Sequence, residues 1–190
     1  MLTRGAWKNL DRYAQKKLGA PAEAFRHQHP MSVSTALTAA FLMEEAPQSL
    51  DETLWSHAKQ LGKTTTGVES FAEQLLTLRS IPLEQHLKSL TWLLKNHNRQ
   101  KRRLKKMMAW YVAGDLQPLY RAAKKDAKGM RKVLIYRRNK LMVQRFMEIS
   151  GQQTLFCAVG AGHLPGEKGM LSLLRKKGYG VKAVVLVESC

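Results

Sequence analysis

Apolar positions recur at helical spacing over most of the chain and change character in a few short runs. Leu2, Trp7, Leu10, Tyr13, Ala14 and Leu18 alternate with basic residues over the first turns, and Gly19-Ala20-Pro21 ends that run. Met31–Met43 is an apolar, alanine-rich helix broken by Ala46-Pro47. Ser49–Gln60 follows, with Ser49 and Glu52 at capping-box spacing and Gly62 as a stop. A helix is predicted over Phe71–Arg79. Pro82 opens a longer one reaching about Val112, on which Leu83, Leu87, Leu90, Leu94, Leu104, Met108 and Tyr111 form one stripe. His97 and Lys101 interrupt that stripe, which predicts docking at both ends and water between. Asp115 is placed to cap a short helix, and Lys128-Gly129 separates it from a helix over Met130–Ile149.

The period shortens in three places. Thr154–Val159 and Val181–Val187 are short apolar runs of strand type, and Gly166–Lys177 between them is a helix stopped by Gly178. Strand, helix, strand at this spacing predicts a βαβ unit with parallel neighbours. Thr64–Glu69 reads as a further short strand. The expected class is therefore α/β: a mixed or mostly parallel sheet, a C-terminal βαβ unit and a large helical insertion.

Composition bounds the rest. The chain of 190 residues has room for one domain with a core, and 44% apolar content argues against disorder. The formal charge of +18 favours anionic partners without choosing among them. Lys95, Arg99, Lys101, Arg102, Arg103, Lys105 and Lys106 concentrate it, either as an anion-binding surface or as a solvated helix face. No aromatic lies within that run and no nucleic-acid reading module is present. No apolar run approaches a membrane span, and the first residues do not form a signal peptide. Cys157 falls in a predicted buried strand and Cys190 is the last residue, which leaves the redox compartment open.

Candidate chemistry gathers where the predicted strands end. Gly160-Ala161-Gly162-His163 follows the first strand of the βαβ unit. The glycines admit a sharp turn and a close ligand, and the histidine could ligate a metal or act as a base. The same residues also suit a plain tight turn with a local cap. Glu69 ends its own predicted strand, so in one parallel sheet Glu69 and His163 share a rim; otherwise Glu69 caps the helix after it. His27-Gln28-His29 is a metal pair if extended and ordinary surface if a loop. Arg138 lies beside Leu134, Leu141 and Met142, so it must find a carboxylate, phosphate or carbonyl, or snorkel outward.

Several segments in order resemble the TraB/GumN family, which includes the Tiki and PrgY-type proteins. They are Leu50-Asp51 with Ala58-Lys59 and Gly62-Lys63; Gly67-Val68-Glu69-Ser70 with Glu73-Gln74 and Ile81-Pro82; Tyr111 with Gly114-Asp115-Leu116 and Leu119; Arg138-Asn139; and Phe156–Leu164 with Gly169, Leu173-Leu174 and Gly178-Tyr179. The last matches the family's second GxxH block.

The resemblance implies an α/β fold of the ChaN and erythromycin-esterase group and a metal-dependent peptide hydrolase. It makes His163 the second GxxH histidine, with Glu69, Arg138 and Asn139 as supporting positions of the same catalytic site; together with the shared rim this makes His163 and Glu69 the expected metal ligands and Gly160 and Gly162 the expected binding turn. It implies a divalent metal ion, a peptide or protein substrate, and an envelope or periplasmic location. The family's first GxxH has no counterpart, since His27, His29, His57, His86 and His97 all lack a glycine three residues before them. The chain is accordingly expected to be an N-terminally truncated single domain, residues 1–190, inactive or weakly active and prone to self-association. The other class of function is non-catalytic binding, of a metal or haem as in ChaN-like relatives, or of an anionic surface.

Overall fold

The computed structural model describes residues 2–42, 48–127 and 129–184. The breaks expected at Ala46-Pro47 and Lys128, the end of the second C-terminal run and Cys190 lie outside them. The described chain forms two compact units: residues up to Thr66 together with Leu78–Met108, and Gly67–Thr77 together with the residues from Ala109 onward.

In the first unit, α1 (Arg4–Leu18), α2 (Pro30–Leu42) and α5 (Leu83–Lys95) pack on one another. Thr3 caps α1 by accepting from the Ala6 amide. Ala6, Leu10, Tyr13 and Ala14 recur at the spacing of one helical face and are buried against Val33, Leu37, Leu90, Leu93 and Leu94. Each fully buried leucine here contributes roughly 1.5–3 kcal/mol of transfer free energy. α3 (Leu50–Gln60) buries no residue and owes its start to the expected capping box, with Ser49 and Glu52 each bonded to the other's backbone.

The long helix predicted from Pro82 to Val112 is two. Asn96 turns its side chain back onto the Trp92 carbonyl at 2.9 Å and ends α5, and α6 (His97–Val112) begins anew. An asparagine amide competing for backbone carbonyls is the physical reason for the break. The predicted stripe does not dock at both ends: Leu90 and Leu94 in its middle are buried, whereas Leu83, Met108 and Tyr111 are exposed.

The second unit holds α4 (Phe71–Arg79) over part of its length, α7 (Leu116–Asp126), α8 (Arg138–Ser150) and α9 (Met170–Lys176). A π-helical turn, Lys132–Arg137, leads into α8. Met142 and Val143 of α8 pack against Met170 and Leu174 of α9.

The α/β class with its parallel sheet is overturned here: among the described residues the regular elements are helices and no strand forms. Residues 64–68, 154–159 and 181–184 are irregular, and no backbone hydrogen bond joins one run to another. Yet Val68, Val159 and Val181 all pack against the α8–α9 cluster. The β-branched content that suggested strands covers a helical layer instead. A strand also needs a neighbour's backbone in register, and hydropathy does not report that.

Candidate functional site

The predicted polar residues of the second unit converge on the start of α8. Gly67 makes the approach of Glu69 possible, since a Cβ at Gly67 would stand 2.8 Å from the Glu69 carbonyl oxygen. Glu69 does not cap α4. That role falls to Ser70 and Glu73, which bond reciprocally across the helix start. Glu73 also accepts from Arg145 of α8 at 2.7 Å.

Glu69 is buried and bound by Arg138. The Arg138 Nε donates to both carboxylate oxygens, at 2.8 and 3.1 Å, and its terminal nitrogen adds a bond of 2.7 Å. The remaining nitrogen donates to the Leu134 carbonyl. Arg138 has thus found a carboxylate and a carbonyl together. The fork geometry of a guanidinium matches a carboxylate, which is what makes this buried pairing favourable.

Asn139, the next residue, faces the His163 loop and is fully buried. Its amide nitrogen donates to the carbonyls of His163 at 3.3 Å and Lys168 at 2.7 Å. Its oxygen lies 2.6 Å from His163 Nδ1. With the amide oxygen as the acceptor, Nδ1 must carry the proton, and Nε2 then holds the lone pair. Nε2 has no hydrogen-bond partner among the described residues. The His163 pKa is lowered, chiefly by burial and then by the Arg138 charge, against an opposing pull from Glu69. At neutral pH the imidazole is a neutral base with one uncommitted nitrogen.

His163 ends a 3-10 turn, Ala161–His163, which lies against α7. Two glycines permit that contact. A Cβ on Gly162 would come within 2.9 Å of the Ala123 Cβ, and one on Gly166 would collide with the Tyr120 hydroxyl. Gly166 also has φ +90°, in the left-handed region. Gly160, by contrast, sits at φ −55° and meets only the His163 ring at ordinary distance. Tyr120 and Ala123 were not anticipated as part of the site. Their spacing of three on one helix, opposite glycines four apart, is the signal that could have revealed them.

The other candidates lie elsewhere. His29 accepts from the Met31 amide at the start of α2 and sits edge-on to His86 in the first unit. His97 shares a hydrogen bond with the Tyr13 hydroxyl. Its pKa is lowered by burial and then by Arg12 and Lys16. Along the basic run, Lys101, Arg103, Lys105 and Lys106 each already interact with another group. Cys157 is a free, half-buried thiol whose pKa is raised by burial.

A resident metal fits this arrangement poorly. Both Glu69 oxygens are bonded to Arg138, so Glu69 is not the uncommitted ligand the sequence suggested. Among the described residues no group of three His, Cys, Asp or Glu side chains is placed to hold a metal ion.

The family model of the TraB/PrgY/gumN family matches residues 1–183. The chain belongs to this family. It is 27% identical to the metalloprotease TIKI2 of Danio rerio, over 90% of this chain and 39% of that protein. It is 26% identical to TIKI1 of the same organism, over 90% of this chain and 41% of the relative. A Tiki homolog of Amphimedon queenslandica, also named a metalloprotease, is 37% identical over 30% of this chain and 12% of its own length. The chain therefore spans about two fifths of the length of the two zebrafish proteins. No solved structure matches. No described helix is long and apolar enough to cross a membrane.

Proposed function

We propose that this TraB/PrgY/gumN chain supplies the histidine-bearing part of a peptide hydrolase, with His163 Nε2 as general base toward an attacking water. The observation that carries this is the Asn139 carboxamide. It fixes the imidazole tautomer with one end and the surrounding loop with the other. A base held neutral near pH 7 by a lowered pKa suits proton abstraction from water. Arg138 and Glu69 act as positioning residues, holding the start of α8 and setting the field at the imidazole. The relatives' name, metalloprotease, supports a peptide or protein as substrate.

Metal dependence belongs to this proposal only in part. His163 Nε2 is a suitable ligand nitrogen, but the described residues give it no companions, and no step is assigned to a metal. One uncommitted histidine without an uncommitted carboxylate predicts low activity for this chain by itself. An envelope location is a further part of the proposal, suggested by the family resemblance.

The test is hydrolysis of a quenched fluorescent peptide library, with and without a chelator. The wild-type chain should show slow turnover, and His163→Ala should remove it while far-UV circular dichroism stays unchanged. Turnover unaffected in His163→Ala would contradict the reading. Loss of turnover with chelator would show that a metal shares the site.

A further inference from the structure

The helix α6 has no core beneath it. It runs for 16 residues from His97 to Val112 and buries none of them. Helices in proteins draw most of their stability from packing one face, and α6 lacks that support. It carries six basic residues, Arg99, Lys101, Arg102, Arg103, Lys105 and Lys106, and no Asp or Glu. Arg99 and Arg103, Lys101 and Lys105, and Arg102 and Lys106 are each four apart, so like charges meet on neighbouring turns and repel. No acidic residue stands in the first turn to complement the helix dipole. Negative charge brought from outside relieves both strains.

The second half of α6 changes character. Met108, Tyr111 and Val112 share one face and are exposed by 39, 53 and 86%. Leu104, one turn earlier on that face, is half-buried. Lys101, Lys105, Met108 and Val112 follow at spacings of four, three and four, so the basic stretch runs into the apolar one along a single stripe.

We propose that α6 docks this protein on an anionic lipid surface, with its lysines and arginines on the headgroups and Met108, Tyr111 and Val112 toward the acyl chains. Charge complementarity selects an anionic surface. The attraction is that of the summed charge, so it does not require any one side chain to be unpaired. The exposed apolar face selects lipid over nucleic acid. A duplex offers phosphates but no apolar phase, and base stacking calls for aromatic rings within the basic run, where there are none. The helix lies on the surface and does not cross it. This inference is independent of the hydrolase reading.

The test is sedimentation of the full chain with vesicles of phosphatidylcholine, alone or mixed with phosphatidylserine. The chain should sediment with the mixed vesicles only, and added salt should release it. Lys105→Gln with Lys106→Gln removes two charges and should weaken binding roughly thirtyfold. Met108→Ser with Val112→Ser leaves the charge unchanged and should weaken binding roughly tenfold or more. All four positions are exposed, so far-UV circular dichroism of both variants without vesicles should match the wild type. Equal sedimentation with the two kinds of vesicle overturns the proposal, as does none with either. Unchanged vesicle binding in the Met108→Ser, Val112→Ser variant also overturns it. Duplex DNA bound as tightly by that variant as by the wild type then assigns α6 to nucleic acid.

Discussion

Asn139 holds His163 at two points: its amide oxygen accepts a hydrogen bond from Nδ1–H at 2.6 Å, and its amide nitrogen donates to the His163 carbonyl at 3.3 Å. Backbone and ring are thereby fixed by a single buried side chain. Asn139→Ala strands the His163 and Lys168 carbonyls and frees the ring, so it should cost at least about 2 kcal/mol. Urea unfolding measures that cost. Asn139→Asp places a carboxylate at Nδ1 and should raise the His163 pKa, read by an NMR titration of its ring protons.

The Glu69–Arg138 pair predicts strong coupling. The Glu69 side chain is only 3% exposed and that of Arg138 25%. Removing one partner leaves a charge with no counterpart, so Glu69→Gln or Arg138→Met alone should cost roughly 3–5 kcal/mol. The double variant Glu69→Leu, Arg138→Met should recover most of that loss. Additive losses in the cycle would show that the two side chains act independently.

Stability should fall as the solution is acidified through the ordinary histidine range. The folded pKa of His163 is lowered, first by burial and then by Arg138, so the unfolded chain takes up the proton more readily. The stability due to this group is complete above the unfolded value, about 6.5, and is lost as pH drops below it toward the folded value. His97 is lowered too and shifts stability in the same direction. In His163→Gln the urea midpoint should depend less on pH across that window than in the wild type.

The Gly166 turn predicts a specific rescue. Gly166→Ala forces an L side chain into φ +90° and against the Tyr120 hydroxyl. The backbone part should cost about 1–2 kcal/mol and persist in Gly166→Ala, Tyr120→Ala. The steric part should disappear in that double variant, so the clash component shows as a non-additive gain in thermal unfolding.

The helices were legible because amphipathic spacing and caps are local: Ser49 with Glu52, and Asp115 at the start of α7, act where the sequence placed them. The sheet was not. The valines at 68, 159 and 181 are equally suited to a strand and to a cover over α8 and α9, and only backbone pairing separates the two. The break at Asn96 was missed because the apolar stripe resumes beyond it at Leu104, although the asparagine itself carried the signal. At the site, the need of Arg138 for an acceptor was readable from its apolar neighbours. That the acceptor would be Glu69, distant in sequence, was not, and this is why Glu69 looked like an uncommitted ligand.

The most direct test of the account is the protonation of the His163 ring, read from its two nitrogen-15 chemical shifts in uniformly labelled protein at neutral pH. The account predicts Nδ1 at the shift of a protonated ring nitrogen and Nε2 at that of an unprotonated one, with Asn139→Ala collapsing the difference toward free exchange between tautomers. A proton on Nε2 in the wild-type chain would contradict it, because the nitrogen assigned to take the proton from water would already be occupied.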